Sequence, residues 1–158
     1  MHCILSVLVE NRAGVLARIS GLFSARGFNI QSLAVGETED PTVSKMTIVV
    51  AGDDKIIEQV KKQLRKTIDV IKLKDLTKED IIDRELVLCK VPLSKKADHK
   101  FQNTVKKYKA ETLSSTKEYQ ILGLCADSKD ISEFLKLIKE DGGFDITRTG
   151  KIAIAKLI

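Results

Sequence analysis

The apolar residues of positions 4–74 switch between two periods in a set order, and that order restricts the fold more than any other feature of the chain. Ile4 to Val9 is a compact β-rich run, after which Val15, Leu16, Ile19, Leu22 and Phe23 recur at helical spacing up to a stop at Gly27. Phe28 to Val35 alternates as a strand, with Phe28, Ile30, Ser32 and Ala34 on one side. Asp40-Pro41 marks a turn, and Val43 to Ala51 reads as a further strand. Gly52-Asp53-Asp54 then caps a helix whose apolar stripe is Ile56, Ile57, Val60 and Leu64, and Ile68 to Lys74 closes the unit as a strand. The order is β-α-β-β-α-β. A unit this short predicts a four-stranded antiparallel sheet with both helices on one face.

A polar, acidic connector follows, with Thr77-Lys78-Glu79-Asp80 at its centre, and the same order then repeats. Glu85 to Val91 reads as a strand broken by Pro92. Ala97, Phe101, Val105 and Tyr108 share a helical face, Glu111 to Thr116 is a weak strand and Tyr119 to Ala126 a strong one. Ile131, Phe134, Leu135 and Ile138 mark an amphipathic helix ended by Gly142-Gly143. Phe144 to Thr147 is a last strand that Thr149-Gly150 is expected to turn into a hairpin with Ile152 to Leu157. The expected layout is α+β: a first domain over 1–76, a linker over 77–83 and a second domain over 84–158. Ile4-Leu5-Ser6-Val7-Leu8-Val9 carries apolar residues on both sides, so something must cover the second sheet face or edge. A second protomer or the second domain suits that need, and an oligomer is expected.

The residues offer little chemistry of their own. Of 158 residues, 43% are hydrophobic but only 4% aromatic, with no Trp, so the core is aliphatic. The 27 basic residues nearly balance 22 acidic ones, which argues little for nucleic acid. Base stacking on such a sheet also needs aromatics, and Ser44 to Val50 has none. The basic stretch Lys95, Lys96, Lys100, Lys106, Lys107 and Lys109 reads as a solvated helix face. Cys3, Cys89 and Cys125 lie far apart in apolar runs and read as buried, reduced thiols. His2 and His99 have no partner at metal-ligand spacing. The carboxylate pairs Asp53-Asp54 and Glu39-Asp40 sit at turns, where capping explains them. No Walker, G-x-S-x-G or H-E-x-x-H phrase occurs. No catalytic residue, metal site or membrane span is expected, nor a signal peptide.

One stretch does suggest a site. In VENRAGVLARIS, residues 9–20, a strand passes through a short glycine-containing turn into the start of a helix. The first N–H groups of a helix have no partner within it, so such a turn can hold an anion. One glycine, Gly14, is too few for a dinucleotide cradle, whereas a single carboxylate asks less. The N–H groups of Gly14, Val15 and Leu16 are candidates for it, with Asn11 and Asn29 offering amides to an amino-acid head group. The other reading leaves Asn11 as a turn residue and Gly14 as a relaxed start to the helix.

ILSVLVENRAGVLARISGLFSARGFNIQSLAVGETEDPTVSKMTIVV resembles the ACT domain of the small, regulatory subunit of acetohydroxyacid (acetolactate) synthase. DRELVLCKV and ITRTGKIAIAK resemble the second domain of that family, and residues 93–140 are only loosely similar. The resemblance implies two ferredoxin-like domains and a non-catalytic partner of a large subunit that carries thiamine diphosphate, Mg²⁺ and FAD. This chain would bind no cofactor. It would form a homodimer or higher oligomer in the cytoplasm, raise the activity of the large subunit and confer feedback inhibition, commonly by valine. The family's effector loop falls on Asn11, Gly14, Val15 and Leu16, and the neighbouring protomer's contribution falls on Asn29 and Ile30. The alternative is a free-standing ACT-domain amino-acid sensor acting on another protein.

Overall fold

The structure, a computed structural model, describes residues 2–94, 98–139 and 145–156, with Ile56 described for its main chain alone. Two compact units are present, one of residues 1–82 with 151–158 and one of residues 83–150. In the first unit, β1 (His2–Glu10), α1 (Val15–Ser24), β2 (Ile30–Glu37), β3 (Val43–Ala51), α2 (Asp54–Lys66) and β4 (Val70–Asp75) follow in the expected order. The sheet runs β2-β3-β1-β4, and its strands pair antiparallel.

Register explains where the core sits. Cys3, Leu5 and Val7 stand opposite Val50, Ile48 and Met46, so these side chains share one face of the sheet. That face is buried against Val15, Ile19 and Phe23 of α1 and Ile57, Val60 and Leu64 of α2. Each large aliphatic or aromatic side chain so buried contributes ~1.5–3 kcal/mol. Gly27 ends α1 as expected. At φ +72° it lets its own N–H reach the Ser24 carbonyl and the Phe28 N–H reach Phe23, both at 3.0 Å. In α2, Asp54 at the start and Arg65 and Lys66 at the end complement the helix dipole.

Three expectations need correction here. The register of β2 against β3 shifts between Ile30 and Ser32, leaving Gln31 as an extra residue. That bulge inverts the alternation: Ile30 packs with the core beside Phe28, whereas Ser32 and Ala34 stand opposite Val49 and Thr47 on the helix-free face. The expected linker over 77–83 is also shorter, while Leu76 keeps its expected place at the end of the first domain. Leu76 is buried and donates its N–H to the Ile4 carbonyl at 2.8 Å, and β5 (Ile81–Pro92) has begun by Ile81. Third, residues 151–158 cluster with the first unit rather than the second. The Lys151 N–H donates to Ser32 Oγ at 2.7 Å and the Lys156 N–H to the Asp80 carbonyl at 2.8 Å.

The second unit contains most of β5, then α3 (His99–Tyr108), β6 (Glu111–Ser115), β7 (Tyr119–Ala126), α4 (Ser128–Lys139) and β8 (Asp145–Arg148). Its strand order, β6-β7-β5-β8, repeats that of the first sheet. Val87, Cys89, Val91, Leu122 and Leu124 pack against Phe101 of α3 and Ile131, Phe134, Leu135 and Ile138 of α4. Asp98 caps α3 by accepting the Lys100 N–H at 2.8 Å, and Lys106 and Lys107 lie in its last turn. Arg148 grips the buried carboxylate of Glu85 with Nε at 2.6 Å and Nη2 at 2.9 Å. The expected hairpin does not form, because β9 (Ile152–Ala155) pairs with β5 instead. Lys95, Lys96, Ala97, the Gly142-Gly143 stop, Phe144 and Leu157 lie outside the described residues, as does the Ile56 side chain.

Cys3 and Cys89 are buried as expected, but Cys125 is exposed, since it alternates away from the Leu122 and Leu124 face of β7. Burial pushes the Cys89 thiol up to about 11 and raises that of Cys3. A thiol reagent near neutral pH should therefore modify Cys125 quickly, with Cys3 and Cys89 reacting only on unfolding. Equal rates for all three thiols in the folded protein would refute this.

Lys61, nearly buried, lies 2.8 Å from Asp75 and also pairs with Glu58. Its hydrogen bond to Asp75 is the main cause that raises its pKa. Burial pushes the Asp75 carboxyl up, but hydrogen bonds from Lys61 and Thr77 outweigh it and hold the group below its ordinary 3.8. A depressed carboxyl stabilises the fold above its unfolded pKa, and that contribution fades as pH falls through the folded value. Lys61→Met should cost ~1–3 kcal/mol in denaturant unfolding near neutral pH, because it leaves Asp75 half-buried without its cation. The difference from wild type should shrink below about pH 4 as the carboxyl protonates.

Candidate effector site

The loop between β1 and α1 is held from the outside in. The Asn11 N–H donates to the Thr42 carbonyl at 2.7 Å, and its side-chain amide donates to Glu37 Oε1 and the Pro41 carbonyl, both at 2.9 Å. Asn11 is thereby fastened to the turn between β2 and β3. That turn is itself ordered by Asp40, whose Oδ1 accepts the Thr42 N–H at 2.9 Å and hydroxyl at 2.6 Å. With its NH₂ group engaged, Asn11 has only Oδ1 left to offer: it can accept from an ammonium but not donate to a carboxylate.

Gly14 precedes α1 at φ +85°, ψ −12°, a left-handed conformation that suits glycine. A side chain built there would meet nothing within 4 Å, so the space above Gly14 is open. The helix has no side-chain cap and no acidic residue in its first turn, which leaves its positive end uncompensated.

The expected donor set changes in one place. The Val15 N–H is spent on the Arg12 carbonyl at 3.3 Å, and its side chain is buried in the core. Among the described residues the N–H groups of Gly14, Leu16 and Ala17 have no partner. The expected donors Gly14 and Leu16 thus remain, and Ala17 joins them. Leu16 is 42% exposed and presents an apolar side chain beside these amides.

Asn29 and Ile30 do not join this group within one chain. Asn29 is exposed and Ile30 half-buried at the far side of α1. The ten residues of that helix span ~15 Å. The register says the same: Glu10 pairs with Val43 at one end of β3, and Ile30 with Val50 at the other. The cavity of about 400 Å³ beside Cys3 and Lys61 is lined by no residue of this loop. The loop of one chain is therefore an open surface on which the Gly14, Leu16 and Ala17 N–H groups and Asn11 Oδ1 are free.

Two contributors were not foreseen in the sequence. Glu37 orients Asn11 across 26 residues, and Asp69 faces Arg12 and Arg18 across 57 and 51. No local signal marks either, because each acts only once strands have paired. Among the described residues no group of three metal-ligating side chains occurs, and no helix is long and apolar enough to cross a membrane.

Comparison with known proteins gives the family. Residues 5–72 match the AHAS small subunit-like ACT domain, and residues 84–157 match the small subunit of acetolactate synthase. A probable acetolactate synthase small subunit from Archaeoglobus fulgidus is 41% identical over 152 residues, covering 96% of this chain and 95% of the relative. The acetolactate synthase isozyme 3 small subunit of Escherichia coli is 35% identical over 157 residues, covering 99% of this chain and 96% of its own. The crystal structure of the acetolactate synthase small subunit from Thermotoga maritima superposes with a TM-score of 0.88 at 31% identity, covering 100% of this chain and 99% of that one. With an ACT-type ferredoxin-like unit first and a second unit of the same topology after it, the chain belongs to the acetolactate synthase small-subunit family.

Proposed function

We propose that the chain is a regulatory subunit that activates a thiamine-diphosphate-dependent catalytic subunit and makes it sensitive to a branched-chain amino acid, valine. The observation that carries the reading is that one short loop leaves free both the N–H groups of Gly14, Leu16 and Ala17 and the Asn11 Oδ1. The donors suit a carboxylate and the acceptor suits an ammonium, while Leu16 offers apolar contact to a short aliphatic side chain. The energetics are modest. A millimolar effector needs only ~4 kcal/mol of binding free energy. Burying an isopropyl group supplies ~1.5–3 kcal/mol, and head-group hydrogen bonds supply the rest.

On this reading Asn29 and Ile30 come from a second copy of the chain. β2 is an edge strand. An antiparallel partner along that edge would bring the far end of its α1 to the near end of this one. Thiamine diphosphate, Mg²⁺ and FAD belong to the catalytic subunit in this scheme, and the assembly works in the cytoplasm. Inhibition requires that valine bind two states of the assembly unequally, so the active state must in turn weaken valine binding.

The decisive experiment mixes the chain with a catalytic subunit and measures acetolactate formation with and without valine. Activity should rise on mixing and fall when valine is added. No rise on mixing would instead mark a sensor of some other target. Gly14→Asp should keep the activation and weaken valine binding by at least about tenfold, since a like charge then occupies the ligand space. The cost to folding should be confined to the strain of a left-handed aspartate, about 1 kcal/mol. Calorimetry showing wild-type valine affinity in that variant would misplace the site.

The shared site has its own test. Gly14→Asp and Asn29→Ala chains should each lose sensitivity alone and recover part of it when mixed. In a hybrid dimer one site carries both lesions and the other neither. Absence of recovery in hybrids shown to form would rule out a pocket completed by the partner.

A further inference from the structure

Asp69 touches no residue of the effector loop's donor set, yet it holds the chain on both sides of that set. It lies just before β4, and its side chain is only 3% exposed. Its carbonyl accepts the Glu10 N–H at 2.9 Å, one residue before Asn11. Its Oδ1 lies 3.4 Å from Arg12 Nη2. Its Oδ2 lies 2.8 Å from Arg18 Nε, a charge contact without a directed hydrogen bond at that oxygen. Arg12 also pairs with Glu10. The Arg18 N–H closes the first helical turn on the Gly14 carbonyl at 2.9 Å. A buried carboxylate thus clamps residue 12 before the free amides and residue 18 after them.

We infer that Asp69, acting mainly through Arg18, is a positioning residue for the carboxylate-binding amides of Gly14, Leu16 and Ala17. This rests on the effector reading above. The three donors belong to a loop and a first helical turn that have no side-chain cap, and the segment itself holds them through the Val15–Arg12 and Arg18–Gly14 main-chain bonds and the buried Val15 side chain. Asp69 adds a side-chain anchor from another element, gripping the segment at Arg12 and Arg18. A buried carboxylate holds its cations firmly because leaving it unpaired is costly. Both arginine side chains are otherwise more than half exposed.

Positioning can be told from plain electrostatics by sign. Glu10 and Asp69 balance Arg12 and Arg18 around the loop. Asp69→Asn leaves positive charge in excess, which by field alone would tighten the binding of a carboxylate. Loss of positioning loosens it.

The test uses calorimetry with valine on the full chain, its Asp69→Asn and Arg18→Gln variants and the double variant, with thermal unfolding followed alongside. Each single change should weaken valine by about tenfold. The double should add less than about twofold to either single, because both remove the same contact. Valine bound as well as or more tightly by a folded Asp69→Asn chain overturns the inference, as does full additivity. If Asp69→Asn does not fold, Arg18→Gln, changed at an exposed side chain, carries the same test. A wild-type chain that binds no valine defeats the effector reading instead. Amide hydrogen exchange then decides the present point. The Val15 and Arg18 amides, both hydrogen-bonded across the loop, should exchange about tenfold faster in Arg18→Gln while the Val7 and Ile48 amides stay protected. Unchanged exchange at Val15 and Arg18 overturns the inference.

Discussion

The antiparallel register of β1 against β3 governs the first unit. With Leu5 opposite Ile48 and Val7 opposite Met46, the apolar residues of both central strands fall on the face that α1 and α2 cover. A slip of one residue would turn Cys3, Leu5, Val7 and Val9 to the other face and put Ile4, Ser6 and Leu8 under the helices. The same register fixes the loop. Because Glu10 ends β1 opposite Val43, Asn11 arrives beside the β2–β3 turn, where Thr42, Pro41 and Glu37 take up its donors.

What results, on the proposed reading, is a binding surface made chiefly of main chain. Its donors are amides at a helix start, and its side chains mostly set their direction. That explains why the stretch carries so little recognisable chemistry: a main-chain donor needs no particular residue type, only a backbone shape that Gly14 permits. It also suits the proposed role. A ligand held by a few amides and one apolar contact binds with moderate affinity and leaves as its concentration falls, as a feedback signal requires. Coupling to a catalytic partner of even 1–3 kcal/mol is then enough to change activity several-fold.

Much of this was readable from residues alone, and unevenly so. The element order, the strand Val43–Ala51 and the stripes of α1 and α4 follow from periodicity, which reports burial on one side of a local segment. Gly27 was readable as a helix stop because its left-handed φ is a local requirement. The bulge at Gln31 was not, since it exists only relative to β3. Nor were the exposure of Cys125, the return of residues 151–156 to the first unit or the pairing of β9 with β5. The loop between β1 and α1 shows the same division. Asn11, Gly14 and Leu16 stood out by their own chemistry, whereas the loss of the Val15 N–H and the gain of Ala17 depended on how the turn closed.

The residue pattern therefore decided which segments are strands and helices, which faces are apolar and where a helix starts without a cap, because each depends on neighbours within a few positions. Tertiary structure alone decided that Glu37 engages the Asn11 donors and that Asp69 meets Arg12 and Arg18. The side-chain contacts among them join residues 26 to 57 positions apart. They come into being only when strand pairing brings distant side chains within reach, and no local period encodes them.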